Sequence, residues 1–189
     1  QILLDVCNMC GSNNLQAIVE LIQEHNVPMS PKIMSKMAVA YAQQGNFDEA
    51  WSLFEKGLAG NTGNISYFAD LGVMIASLQG DKEKAILYLL KHEEGKDIRD
   101  GALSRMGLLA ISTEDRDILE HVDKVMNSLK FSQKSLKLMP LLEAAIKLKD
   151  EERVSKYQSL IPDSHSSHVF GLLRLSDMEH LFNMTKPEE

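Results

Sequence analysis

Cysteine, aromatic residues, positive charge and long apolar runs are all scarce in this chain of 189 residues. No stretch approaches the roughly 18 apolar residues that a membrane span needs, so we expect no membrane-spanning segment. The net charge of −7 argues against a nucleic-acid binder that uses its whole surface, because neutralising phosphates takes clustered Lys and Arg. A local basic patch stays compatible with that balance. Reduced thiols suit an interior compartment such as the cytosol or the mitochondrial matrix.

The remaining composition favours helices. Aromatic residues make up 6% of the chain, Gly and Pro are few, and long stretches run without Gly or a β-branched residue. The hydrophobic fraction of 44% is enough for a core, so we expect a folded protein. Residues 1–5 begin in the middle of an amphipathic pattern without an initiating Met, and we expect a fragment of a longer polypeptide.

A segment of helix, turn and helix occurs twice. Gly45-Asn46-Phe47-Asp48-Glu49-Ala50 aligns with Gly80-Asp81-Lys82-Glu83-Lys84-Ala85, so the Gly and the Ala each recur after 35 residues. A fixed period of this size is typical of helical repeats. A Gly after the last turn suits the left-handed conformation that ends many helices. Each unit is therefore predicted to be a helical hairpin, with Ala50 and Ala85 at close helix crossings.

Weaker copies flank these two and predict an all-α fold, an α-solenoid of stacked helical hairpins. One array is expected to fill the chain, with units of approximately 1–30, 31–65, 66–97, 98–130, 131–162 and a capping pair at 163–189. The helices predicted after residue 98 cover 101–112, 116–129, 134–147, 153–160, 169–175 and 177–184.

Residues 40–55, AYAQQGNFDEAWSLFE, resemble the pentatricopeptide repeat, which has a Gly near the end of its first helix, a DEA triplet and an apolar-Phe pair. The period of 35 fits that family better than the period of about 34 in tetratricopeptide repeats. The resemblance is good over 31–97, fair upstream and weak after 130. The Leu and Met content and the acidic balance are most similar to the animal leucine-rich members of the family.

The resemblance implies a site on the first helices. In the family, the first helix of each hairpin lines a groove, and two or three side chains per unit read one RNA base. Matching the motif assigns Ser35 as base-facing, Lys32 as its flanking residue and Asn64 or Ile65 as the reader at the end of the unit. Tyr67 and Asp70 correspond in the next unit, where Tyr67 has a ring for stacking. Asp70 departs from the pattern because its carboxylate repels phosphate, so these side chains are also compatible with ordinary solvated groove residues.

A second RNA-binding hypothesis comes from charge. Lys130, Lys134 and Lys137 follow i, i+4, i+7 spacing, so one continuous helix would place them on a single side as a phosphate-binding ridge. A break near Ser132 would spoil that arrangement. A solvated lysine face is the alternative interpretation.

Motifs for chemistry are weak, and we expect no enzyme, no cofactor and no metal site. The C-x-x-C of Cys7 and Cys10 lies in a helical pattern without a second pair for zinc. His165 and His168 have near-ligand spacing without an evident third ligand. The acidic residues from Asp115 to Asp123 predict a solvent-exposed helix face. Neither a P-loop nor a dinucleotide-binding Gly pattern occurs.

The resemblance implies a non-catalytic RNA-binding protein of the mitochondrial matrix, with the cytoplasm or nucleus as alternatives. It also implies a role in stabilisation, polyadenylation and delivery of mitochondrial messenger RNA to the translation machinery. The implied partners are messenger RNA, a small RNA-recognition-motif protein and the small subunit of the mitochondrial ribosome. The alternative is a protein-binding scaffold of tetratricopeptide type, since helical arrays present grooves to protein segments. In that case Trp51, Phe54 and Tyr88 belong to the core or to an interface, and helical spacing favours the core.

Overall fold

The computed structural model describes residues 22, 24–25, 28–60 and 65–182, and within these the protein is helical with no β-strand. The all-α prediction is confirmed. The chain divides into two compact units, Gln1–Gly95 and Lys96–Glu189, which are described separately below. Within the described residues, every helix falls short of the length and apolar character required for crossing a bilayer. The helices predicted upstream of residue 25 lie mostly outside the described range.

The first unit contains two helical hairpins. Its helices are α1 (Pro31–Gln43), α2 (Phe47–Ala59), α3 (Ile65–Gln79) and α4 (Lys82–Gly95). Helix α1 packs along α2, α3 packs along α4, and α3 also contacts α1 and α2. Because each pair is joined by a turn of a few residues or less, its two helices run antiparallel. Their core contains the fully buried side chains of Ala38, Ala50, Phe54 and Ile75.

The second unit continues with shorter helices. These are α5 (Asp100–Thr113), α6 (Arg116–Ser128), α7 (Met139–Lys147), α8 (Glu151–Gln158) and α9 (Ser166–Leu175), with 3₁₀ turns at Leu136–Leu138, Asp163–His165 and Glu179–Leu181. Helix α5 packs against α6 and α7, and α7 packs against α8. The apolar side chains of Leu103, Met106, Ile118, Leu141 and Val154 are fully buried there.

Two predicted helices of this unit are shorter than expected. The helix predicted over 134–147 is interrupted, and regular α-helix begins only at Met139. Pro140 has no amide hydrogen and fits only the first turn of a helix, so it fixes that start. The helix predicted over 177–184 is a single 3₁₀ turn at Glu179–Leu181 within the described residues, and Asp177 has a left-handed φ of 57°.

The turn between paired helices recurs along the chain. Gly45, Gly80, Glu114 and Lys149 all have positive φ, between 52° and 82°. The helices that follow begin at residues 47, 82, 116 and 151, at intervals of 35, 34 and 35 residues. At three of these turns the next residue donates its backbone N–H across the helix end over 2.9 Å, from Asn46, Asp81 and Asp150 to the carbonyls of Tyr41, Ala76 and Ala145. The period predicted from the two Gly motifs therefore extends to two turns without Gly.

Successive turns of the second unit are also joined by side chains. The guanidinium of Arg116 donates to the carbonyl of Leu148 over 2.8 Å, and the ammonium of Lys147 donates to the carbonyl of Ile111 over 3.0 Å. Each basic residue thus satisfies a carbonyl at the C-terminal end of a helix in the neighbouring hairpin, where cations are favoured.

Glycine permits close helix contact at specific crossings. A Cβ at Gly107 would lie 2.6 Å from the backbone N of Leu141 and 2.6 Å from the carbonyl C of Pro140, so α5 and α7 touch through their backbones. A Cβ at Gly72 would lie 2.3 Å from Cγ of Tyr88, so the Tyr88 ring rests directly on α3. These glycines fix how closely paired elements approach.

Candidate functional site

The first-helix positions assigned to RNA reading are only partly accessible. Ser35 is fully buried, and its hydroxyl donates to the carbonyl of Pro31 over 2.7 Å. The same hydroxyl faces Gly57 of α2, so no base can reach Ser35 in this arrangement. Lys32 lies in α1, and its side chain is outside the description. Asn64 lies outside the described residues, whereas Ile65 beside it is exposed.

Tyr67 and Asp70 lie on α3, one turn apart. The Tyr67 ring is half-buried and meets Phe68 edge-on, with 5.4 Å between the ring centroids. The carboxylate of Asp70 lies 3.3 Å from Nε2 of His92, which is fully buried on α4. The Asp70 charge is therefore directed partly into the hairpin, and Tyr67 keeps part of its ring at the surface.

Lys130, Lys134 and Lys137 do not share a helix, so the condition for a single lysine ridge is not met. Helix α6 ends at Ser128, Lys130 has a left-handed φ of 51°, and residues 131–135 are not helical. The Lys134 ammonium lies 2.9 Å from Asp163, and that of Lys137 lies 3.8 Å from Asp100. The break predicted as the alternative near Ser132 is what the structure contains.

Lys134 also lines a cavity of about 500 Å³ in the second unit. Its walls combine an apolar part with hydroxyl and amide groups, and are formed by Lys134, Ser155, Gln158, Ser159, Ile161, Pro162, Asp163, Ser166, Val169 and Phe182. The Phe182 ring packs against Phe170 with 5.0 Å between centroids. This mixture of apolar wall and polar groups is typical of a ligand pocket.

A charged network connects α6 and α8, and no sequence pattern predicted it. Asp123 accepts hydrogen bonds from Arg153 Nε at 2.7 Å, Lys156 Nζ at 2.8 Å and the Tyr157 hydroxyl at 2.9 Å. Arg153 also donates to Asp150 over 2.5 Å. Asp123 is therefore a half-buried anchor, whereas the acidic run from Asp115 to Asp123 had predicted a solvated face.

Ionisation in this network follows from its geometry. Burial raises the pKa of Tyr157 far above its ordinary value of 10.0, and the adjacent carboxylate of Asp123 adds to the rise. Burial lowers the pKa of Arg153, but the hydrogen bonds to Asp123 and Asp150 outweigh that effect and raise it overall. Tyr157 stays protonated as a donor and Arg153 stays charged, so the network is a structural clamp.

Unit 1 carries an aromatic cluster instead. Phe54 is fully buried, as the helical spacing predicted, whereas Trp51 and Tyr88 are half-buried. The Trp51 and Tyr88 rings are stacked with 5.6 Å between centroids and 16° between planes. The indole N–H of Trp51 donates to Oε1 of Gln79 over 2.8 Å. Two aromatic rings therefore reach the surface in a fixed orientation.

The residues weighed for metal binding do not assemble. His165 pairs its Nδ1 with the Ser164 hydroxyl at 3.0 Å, and His168 is exposed. Over the described ranges, no three His, Cys, Asp or Glu side chains come close enough to hold a metal ion. Cys7 and Cys10 lie outside those ranges.

Comparisons with protein-family models, with curated proteins and with solved structures found no match to this chain.

Proposed function

We propose that this chain is an α-solenoid of pentatricopeptide type that binds single-stranded RNA and catalyses no reaction. The observation that carries the proposal is the left-handed turn that recurs at residues 45, 80, 114 and 149, with a helix starting just after each. A period close to 35 residues fits stacked hairpins whose neighbours bury each other's apolar faces. RNA as the ligand rests on the resemblance of residues 40–55 to the family.

Two separate RNA contacts are proposed, Tyr67 in the first unit and Lys134 in the second. Tyr67 has a partly exposed ring for stacking on a base, a contact that tolerates any sequence. The pair of Lys134 with Asp163 is exposed, at 50% and 88% of the two side chains, so it holds the ammonium only weakly. A phosphate can therefore take over Lys134 at small cost. Ser35 is left out of this set because it is buried.

The test is binding of a fluorescently labelled single-stranded RNA as a function of salt. Changing Lys130, Lys134 and Lys137 together to Ala should lower affinity and reduce the slope of log K against log salt by about 0.7 for each of these lysines that contacts a phosphate. The matched control changes Lys36, Lys56 and Lys96 to Ala, which alters net charge equally. An equal slope in both triple variants would refute these lysines as phosphate contacts.

The biological setting follows from the same resemblance. We place the chain in the mitochondrial matrix, in stabilisation, polyadenylation and delivery of messenger RNA. Messenger RNA, a small RNA-recognition-motif protein and the small ribosomal subunit are the proposed partners. Purification from isolated mitochondria, followed by RNA sequencing and mass spectrometry, tests this setting directly. Recovery from another compartment without mitochondrial transcripts would refute it.

A protein-binding scaffold is the second candidate, because large apolar side chains are exposed. Leu87, Leu108 and Leu175 are 54%, 47% and 87% exposed, which is compatible with contacts to other proteins. RNase treatment separates the two functions. Partners that remain bound after RNase favour the scaffold, and partners that are lost favour RNA.

A further inference from the structure

The stacked pair on α2 and α4 carries its own cations. The Lys84 ammonium lies over the Trp51 ring, 4.7 Å from its centroid, and the Lys91 ammonium lies over the Tyr88 ring at 6.0 Å. We call these two rings, with the lysines above them, the Trp51 platform. Both distances are within the range in which the electron-rich face of an aromatic ring attracts a cation. Both rings of this surface therefore already contact a cationic side chain.

The rings are held in place before any ligand arrives. The hydrogen bond from Trp51 to Gln79 fixes the indole, and Gly72 lets the Tyr88 ring lie flush on α3. Phe54 supports both rings from the core, edge-on, with centroids 5.5 Å from Trp51 and 5.2 Å from Tyr88. A preorganised surface loses little conformational entropy on binding.

Two carboxylates lie close to the platform and its two lysines. Oδ2 of Asp81 lies 3.6 Å from the Lys84 ammonium. Glu55 on α2 acts on Tyr88, whose pKa is raised by burial and by this carboxylate. The chain as a whole carries a net charge of −7. Asp81 and Glu55 offset the charges of Lys84 and Lys91 locally, and the negative charge of the whole chain favours a cationic ligand over an anionic one.

Lys84 is a replaceable occupant of the platform. Its side chain is 45% exposed and that of Asp81 is 25% exposed, and partly exposed contacts of this kind contribute only modestly to stability. A guanidinium stacks better on an aromatic face than an ammonium does, and it binds a carboxylate with two N–H groups. Arginine is therefore the side chain that can displace Lys84.

We propose that the Trp51 platform binds an arginine of a basic segment of a partner protein, with Lys84 occupying the place of that arginine in the free chain. The arginine stacks on Trp51 and pairs with Asp81. Leu87, which is exposed on α4 between Lys84 and Lys91, provides an apolar contact beside it. This inference is independent of the RNA proposal, since it uses the second helices and a ligand of opposite charge.

The experiment uses the whole chain and a tetraarginine amide peptide. Trp51 is the single tryptophan in the sequence, so selectively excited tryptophan fluorescence reports on this surface alone. We expect tetraarginine to change Trp51 fluorescence in a saturable way, tetralysine to bind more weakly and tetraglutamate to have no effect. No saturable change with tetraarginine would overturn the proposal.

Substitution of Lys84 changes the affinity for tetraarginine in a direction that tests the proposal. Lys84→Met removes the internal competitor, so affinity for tetraarginine should rise roughly twofold to fivefold. Lys56→Met, at an exposed site on α2, makes the same change in net charge and should raise affinity less. Equal affinities of the two variants would overturn the proposal, because the effect would then be one of overall charge. Trp51→Phe, followed with labelled tetraarginine, should weaken binding while keeping a ring in the stack.

A nucleic-acid ligand at the same surface predicts the opposite result. A phosphate chain would use the Lys84 ammonium, so Lys84→Met would weaken binding of an oligouridine probe that changes Trp51 fluorescence. Such a result, without tetraarginine binding, would overturn the arginine proposal and assign the platform to RNA.

Discussion

The Nε–H of Arg153 donates to Oδ2 of Asp123 over 2.7 Å, across 30 residues of sequence. Both side chains are 17% exposed, so this ion pair is largely shielded from water. It connects α8 to α6 in the second unit, and its loss accounts for most of the stability change expected for Asp123→Asn.

Asp123→Asn is expected to destabilise the protein by about 2 to 3 kcal/mol, less than the loss of one partner costs in a fully buried pair, because both side chains are partly exposed and Arg153 keeps Asp150. The free energy of unfolding, measured by urea denaturation with circular dichroism, checks this value. Asp163→Asn removes the exposed pair with Lys134 and should cost about 0 to 1 kcal/mol. Similar losses in both variants would contradict the assignment of Asp123 as a half-buried anchor.

Gly107→Ala is expected to destabilise the protein, because its Cβ would lie 2.6 Å from backbone atoms of Pro140 and Leu141. Backbone cannot swing aside as a side chain does, so α5 and α7 must separate, at a cost of about 1 to 3 kcal/mol. Gly101→Ala is the matched control on the same helix, where a Cβ meets nothing within 4 Å. That change should stabilise by about 0.5 to 1 kcal/mol, measured by thermal and urea unfolding.

Lys149→Gly is expected to stabilise the protein by about 1 kcal/mol, because Lys149 has a φ of 52° that glycine adopts without strain. Gly45→Ala and Gly80→Ala should each lower the free energy of unfolding by a similar amount, because both glycines have positive φ. Neither Cβ would meet another atom within 4 Å, so the backbone conformation alone causes the loss. Urea midpoints of the three variants provide the measurement. Midpoints that move in the same direction for all three would disprove left-handed turns as the common feature.

Tyr157→Phe tests the effect of alkaline pH. The folded state raises the pKa of Tyr157 above its ordinary value of 10.0, so above about pH 10 the unfolded state ionises first and gains stability. The contribution of Tyr157 to the free energy of unfolding should therefore be constant below pH 10. Above pH 10 it should fall by about 1.4 kcal/mol per pH unit. The variant should be less stable at neutral pH, by about 1 kcal/mol for the lost hydrogen bond, and fall less steeply. Parallel curves for the two proteins between pH 9 and 11 would contradict this account.

Local signals in the sequence predicted much of the helical order. The left-handed glycines and the start of α6 at Arg116 follow from turn residues and periodicity, which act over a few residues. The gaps between the predicted helices place turns at Glu114 and Lys149, but their left-handed conformation is not predicted by residue type, because neither position has Gly.

Contacts over long distances in sequence could not be predicted in the same way. Asp123 lies in an acidic stretch, and the residues of that stretch do not predict its hydrogen-bond donor, Arg153, which follows 30 residues later. Ser35 is buried because Gly57 brings α2 close to it, and the periodicity of α1 alone contains no information on that crossing. The lysine ridge depended on helix continuity past Ser128, which the left-handed Lys130 and Pro140 prevent.

The crossed contacts of Arg116 with Leu148 and of Lys147 with Ile111 have a consequence for motion. Each contact joins one turn of the second unit to the helix end of the other, so fraying at one end removes a hydrogen bond from its counterpart. In amide hydrogen exchange, the last turns of α5 and α7 should open as one cooperative segment and exchange at matching rates. A ligand that engages only one of these ends would then slow exchange at both.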